Sequence, residues 1–213
     1  MNGHDAARMR SQLATFFNLI DGRSPFEIES YRQRGEAMVR QGLVPATAFS
    51  AIEQALWDLA GKALDVPTYV LLGGKVRDSL PVYANINRAT DPRTPAGFAA
   101  LARRRAVDTI MPDVKHCGGL LELTRIAAMA AEEGVMVAPH NPSGPVSTAA
   151  SVQVCAGMKN VNYLELQYGE VGWRSDSLVP AERFINGTIQ VPERPGFGID
   201  LNEAVIRARS LPL

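Results

Sequence analysis

An aspartate and a histidine, each closing a short apolar run, are the residues of this chain best placed to do chemistry. Asp113 follows Thr109-Ile-Met-Pro, and His140 follows Val135-Met-Val-Ala-Pro, 27 residues further on. Between them Leu120 to Gly134 reads as a helix. This is one strand–helix–strand unit. The right-handed crossover of such units lays parallel strands side by side, with their C-terminal ends on one rim. The spacing therefore predicts that Asp113 and His140 face each other. A buried carboxylate beside an imidazole orients the ring and makes it a general base. No cluster of acidic strand ends accompanies the pair.

The elements that must position this pair can be read outward from it. Strands are expected at 107–112, 135–139 and 161–166, separated by helices near 120–133 and 144–157, and Leu80–Ile86 reads as a further strand. Strand–helix alternation with this period predicts parallel βαβ architecture, doubly wound or barrel. Before it lie three helices. Residues 5–20 carry Met9, Leu13, Phe16, Phe17 and Ile20 at helical spacing. Ser24-Pro25 offers an N-cap and first-turn pair for a helix to about Arg40. Over Pro45–Leu64 the residues Phe49, Ile52, Leu56, Leu59 and Ala63 line one face. A helix is also expected over Pro95–Arg105. The segment from Gly169 is rich in Gly, Pro and charge, with a turn and strand at Asn186–Val191 and a short helix from Asn202, and reads as a tail wrapping another element.

Composition removes several classes of function. The 213 residues are 46% hydrophobic and 21% charged, with 22 basic residues against 22 acidic ones, so no electrostatic surface for nucleic acid or anionic membrane is expected. No apolar run reaches the length of a membrane span and Met1–Gln12 lacks the apolar core of a signal peptide, so the expected location is cytoplasmic. Cys117 and Cys155 lack a C-x-x-C spacing and read as small buried residues. No G-x-G-x-x-G follows a strand and there is no Walker loop, so a nucleotide cradle is missing. Gly73-Gly74 and Gly118-Gly119 read as caps and tight turns. His116 and Cys117, being adjacent, point apart and do not make a metal site. Trp57 and Trp173 read as packing residues.

Several long runs, in order, resemble one family. IMPDVKHCGG, APHNPSGPVSTAASVQ, NYLELQYGEVGWRSD and VPERPGFGIDLNE are similar to the C-terminal part of the mandelate racemase/muconate lactonising branch of the enolase superfamily, nearest its acid-sugar dehydratases and racemases. AFSAIEQALWDLAGKALDVPTYVLLGGKVRDSLPVYAN resembles the same family's join between capping domain and first barrel strand. The resemblance implies a cap over a (β/α) barrel. It also implies magnesium held by three strand-end carboxylates and a base that removes the proton α to a substrate carboxylate. It casts His140 as base or acid, Asp113 as its orienting partner, and Glu165 as the carboxyl that hydrogen-bonds the substrate carboxylate, with Gln167 or Glu170 as alternatives for that place.

The departure from the family lies between Leu80–Ile86, which matches its first barrel strand, and Val107–Pro112, which matches its sixth. The family has four strands there, carrying a second base and the metal ligands. This chain has only Asn87–Ala106, with one carboxylate, Asp91. A complete barrel takes about 250 residues. The expected architecture is thus α/β, a partial (β/α) barrel of about four parallel strands, with a truncated, mainly helical capping region. The expected division is 1–79 cap remnant, 80–168 partial barrel and 169–213 tail packing on the cap, with a large internal deletion joined near Ala99–Ala106, a shortened N-terminus, and Arg103–Arg105 at the join.

Three functions compete. The first is a truncated relative of a magnesium-dependent dehydratase or racemase, inactive alone, with no metal or other cofactor expected in this chain. The second is a non-catalytic partner, as a homo-oligomer or with an intact relative. The third is metal-free proton transfer through His140. The acid-sugar carboxylate is the implied substrate of intact relatives.

Overall fold

The computed structural model describes residues 3–85, 107–167, 169 and 171–209. The expected helix over Pro95–Arg105, the join with Arg103–Arg105, and Asp91 lie outside them, as does Glu170.

Three helices build the first layer: α1 (Gly3–Phe17), α2 (Ile28–Val39) and α3 (Leu43–Ala63). Their own core is small and aromatic. Phe16 meets the Phe49 ring edge-on with centroids 5.4 Å apart, and Tyr31 stacks on Phe49 at 4.6 Å while its hydroxyl donates to the Phe49 carbonyl at 2.9 Å. Gly35 lets α2 approach, since a Cβ there would lie 2.4 Å from Phe49 Cε2.

Two details depart from the sequence reading. Helix α2 begins at Ile28, not after Ser24. Ser24 Oγ instead accepts from the Phe26 N–H at 3.3 Å, closing a turn on Ser24-Pro25. Leu59 is 52% exposed although it shares the apolar stripe of α3. The reason is that α3 is buried on two sides. Phe49 and Leu56 face the helices, while Ser50, Glu53, Gln54, Ala60 and Gly61 are buried, and Ser50 and Glu53 bond to the second layer, which leaves Leu59 outside. A short helix, α4 (Thr68–Leu71), follows after Pro67.

The second layer holds four parallel strands: β1 (Ser79–Asn85), β2 (Thr109–Ile110), β3 (Met136–Val137) and β4 (Leu164–Gln167). Helix α5 (Leu120–Glu132) joins β2 to β3, and α6 (Pro145–Gly157) joins β3 to β4. Strand β2 pairs with β3, Val137 bridges Val161 just before β4, and β4 pairs with β1. The parallel strands therefore run β2-β3-β4-β1 as an open arc, and no closed barrel forms among the described residues. Strands β2 and β3 are shorter than expected because Pro112 and Pro139 lack the N–H a ladder needs. Pairing nevertheless continues past them, since His140 N–H donates to the Pro112 carbonyl at 3.0 Å. Leu80, Leu120, Leu123, Val137, Val152 and Leu164 are wholly buried in this core.

The tail contributes β5 (Leu178–Val179), β6 (Phe184–Ile185), β7 (Thr188–Gln190), β8 (Asp200–Leu201) and α7 (Glu203–Arg209). Asn186 and Gly187, both at positive φ, make the two-residue turn between β6 and β7. Strand β7 then pairs antiparallel with the start of β1, Leu80 opposite Ile189. The tail thus extends the sheet before reaching the helices. There Thr68 N–H donates to the Gly196 carbonyl at 2.8 Å, and Asp58 Oδ1 accepts from Phe197 N–H at 2.7 Å. No helix among the described residues is long and apolar enough to cross a membrane.

Candidate active site

The unit β2–α5–β3 puts Asp113 and His140 just past neighbouring strand ends. His140 Nδ1 lies 2.9 Å from Asp113 Oδ2. Asp113 is 6% exposed, and its other oxygen accepts the Lys115 N–H at 2.8 Å. Lys115 Nζ stands 3.5 Å from Oδ2 and His116 Nε2 3.9 Å. Burial opposes ionisation of Asp113. The hydrogen bond from His140, the charges of Lys115 and His116 and the Lys115 N–H together outweigh it, and hold the carboxyl below its usual range. An ionised Asp113 can only accept, so it holds a His140 proton on Nδ1 and turns Nε2 toward Glu165.

Glu165, in β4, is the third predicted site residue. It is 1% exposed, and its Oε2 lies 3.9 Å from His140 Nε2 while accepting the Asn141 N–H at 3.0 Å. The structure thus brings all three residues together on one rim. Gln167 ends the same strand, two residues on and partly buried.

Residues the sequence did not single out complete the surroundings. Asn141 Nδ2 donates to the Glu165 carbonyl at 3.1 Å and to Thr148 Oγ1 at 2.8 Å. Arg174, from the tail, reaches Thr148 Oγ1 at 2.8 Å and the Ser143 carbonyl at 2.6 Å, and is gripped by both oxygens of Glu182. Thr47, on α3, bonds His116 Nδ1 at 2.8 Å, tying the helical layer to the rim. Burial, reinforced by Lys115 and His140 and opposed by Asp113, lowers the His116 pKa and favours the neutral ring. The only signal for Asn141 was its place directly after His140; Arg174 and Glu182 gave none, because their contacts are long-range.

The arrangement is an oriented imidazole with a second carboxyl beside its free nitrogen, suited to moving a proton. Among the described residues no group of three or more His, Cys, Asp or Glu is arranged to hold a metal ion. Asp113, His140 and Glu165 are engaged with one another and with backbone N–H groups, so the residues described do not fit a magnesium site.

An open arc of parallel strands against a helical layer, with an Asp–His pair at the strand ends, defines the chain as an α/β protein. Residues 77–205 match the enolase C-terminal domain-like family, and residues 2–73 match the mandelate racemase/muconate lactonizing enzyme N-terminal domain. The chain belongs to the mandelate racemase/muconate lactonizing enzyme family, a branch of the enolase superfamily. It is 37% identical over 112 residues to a D-xylonate dehydratase of Haloferax volcanii, which takes in 53% of this chain and 27% of that protein. It is 25% identical over 305 residues to a D-gluconate dehydratase of Thermoproteus tenax, across 87% of this chain and 61% of the relative. The chain therefore covers less than two thirds of the length of either. Among solved structures, mandelate racemase/muconate lactonizing enzymes from Sulfitobacter sp. and Jannaschia sp. CCS1 align with TM-scores of 0.85 and 0.81. They are 19% and 20% identical, covering 96% of this chain in both cases and 84% and 86% of theirs. At such identities the likeness is one of fold.

Proposed function

We propose that this chain is an internally shortened relative of the acid-sugar dehydratases, retaining the Asp113–His140 dyad and Glu165 but unable alone to abstract a proton α to a carboxylate. In this reading His140 Nε2 is the vestigial base, Asp113 orients it, and Glu165 is the remnant of the substrate-carboxylate contact. Residues 1–79 are the cap remnant, 80–168 the partial barrel and 169–213 the tail.

The observation that carries the reading is the passage from Asn85, at the end of β1, to Thr109, at the start of β2. Only residues 86–108 lie between them, where the family places four strands with its metal ligands and second base. The comparison with the D-gluconate dehydratase supports it. An alignment 305 residues long on a chain of 213 leaves many residues of the relative with no counterpart here, as an internal shortening would.

The chemistry points the same way. Removing an α-proton from a carboxylate concentrates two negative charges on one group. Imidazole and a few hydrogen bonds stabilise this by a few kcal/mol, whereas catalysis requires about 8 kcal/mol or more.

The test is to incubate purified protein with D-xylonate, D-gluconate and D-galactonate, with magnesium, and to follow 2-keto acid formation. No turnover is expected, and His140→Asn changes nothing measurable. Magnesium-dependent turnover that vanishes in His140→Asn would overturn the reading.

A non-catalytic partner role is the second reading. It is favoured by the exposed apolar side chains of the tail, among them Val179 at 53% and Leu201 at 52%. Co-purification with an intact relative, absent after Val179→Ser and Leu201→Ser, would separate it from the first.

A further inference from the structure

The loop that carries His140 is held from two directions. On the inner side Glu165 Oε2 accepts the Asn141 N–H at 3.0 Å. On the outer side a single tail residue, Arg174, spans the loop and the helix it leads into. Its Nη1 donates to the Ser143 carbonyl at 2.6 Å and its Nη2 to Thr148 Oγ1 at 2.8 Å, the same hydroxyl that accepts from Asn141 Nδ2 at 2.8 Å. Asn141 and Thr148 are wholly buried. The Arg174 side chain is 15% exposed and that of Glu182 8%, so the pair that orients the guanidinium is itself largely shielded from water.

The geometry points to Arg174 as a positioning residue for His140, acting through Thr148 and Asn141. Guanidinium is the group this place needs. Its planar fork bonds Glu182 through Nε and Nη2, and still has Nη protons directed at Ser143 and Thr148. A lysine keeps the charge opposite Glu182 but has one nitrogen for acceptors on two sides. Beyond the His140 N–H bond to the Pro112 carbonyl, the loop 140–144 has little regular structure of its own to fix it, and Pro142 supplies no N–H. Without the outer hold, the Ser143 carbonyl and the Thr148 hydroxyl lose their Arg174 donor, Asn141 is tied only to Glu165 and to a Thr148 that is itself less fixed, and the imidazole is free to leave Asp113 for part of the time. The inference concerns the geometry of His140 and holds whether or not the site turns over.

The test reads the ring nitrogens of His140 by 15N NMR in protein labelled at histidine. The wild-type chain is expected to show a proton held at Nδ1. Arg174→Lys retains a cation beside Glu182, and Thr148→Val removes only the shared hydroxyl. Both are expected to move the His140 ring signals toward a mixture of the two neutral tautomers. Arg194→Lys, in a tail ion pair with Asp200 away from this network, leaves them in place. If Arg174 served only to neutralise buried Glu182, Arg174→Lys would restore the wild-type signals, and that result overturns the proposal. Unchanged signals in Thr148→Val overturn it too. Should Arg174→Lys fail to fold, Thr148→Val decides by the same reading.

Discussion

Glu53→Gln is expected to change the pH dependence of stability more than stability itself. Glu53 lies on α3, wholly buried, and reaches across to the start of α5. Its two oxygens accept from the Leu120 N–H at 2.8 Å, the Leu121 N–H at 3.0 Å and the Trp57 indole at 2.8 Å. The carboxylate therefore caps a helix in the other layer, in the place a local side chain would usually fill. Burial raises its pKa from 4.5 to about 7, against the pull of Leu121, Leu120, Trp57 and Arg32 toward the charged form. A raised folded-state value means that the group's contribution is complete below its unfolded pKa and is lost as pH rises through the folded one. At about 1.4 kcal/mol per pH unit, ionising Glu53 in place costs about 3 kcal/mol by pH 8. Gln cannot ionise, but its amide nitrogen faces an N–H donor and leaves it unpaired, a loss of about 1–3 kcal/mol at any pH. Urea unfolding followed by tryptophan fluorescence should thus find Glu53→Gln less stable at pH 5, with the gap closing or reversing by pH 8. Parallel stability curves for the two proteins would refute the reasoning.

The remaining expectations are local. Gly119→Ala should be strongly destabilising, because φ is +96° and the new Cβ would lie 2.0 Å from Glu53 Oε2. Thermal melts of Gly119→Ala beside the Glu53→Gln, Gly119→Ala double variant test this, and additive losses would show that the two residues do not meet. Asp113 has a lowered pKa, so its contribution is present above the ordinary carboxylate range and lost as pH falls through the folded-state value. Melting temperatures between pH 2 and 5 should fall less steeply in Asp113→Asn, and an identical acid slope would mean that Asp113 is not held ionised by its neighbours.

The parts of the fold legible in the sequence are those set by short-range pattern. Asp113 and His140 belong to a single strand–helix–strand unit, so their separation in sequence is enough to put them on one rim, and they meet at 2.9 Å. The spans of α1, α3, α5 and α6 were legible for the same reason. What was not legible comes from contacts between distant segments. Leu59 matched the stripe of α3 but is exposed, because Ser50 and Glu53 on the same helix are claimed by the second layer. Ser24-Pro25 carried a capping signal that a local turn took up instead. Arg174 and Glu182 lay in a charge-rich tail where an isolated arginine suggests solvent, and only the path of the chain past β4 brings them under α6.

That contrast bears on what a retained dyad means. The bond between His140 and Asp113 spans the ends of β2 and β3, joined by α5, and the pairing of β4 with β1 completes the arc beside it. Local geometry of this kind survives the removal of elements that do not touch it. A reaction is different, since it draws on groups from strands spread around the whole rim. Each group acts on the same developing charge, so losing some of them removes most of the rate rather than a share of it. On the proposed reading the chain keeps the part of the site that one crossover unit encodes and lacks the part that four further units would have supplied. On that reading the position of His140 is kept by packing and by the hydrogen bonds around it, those that run through Asn141 and Thr148 to Arg174 included.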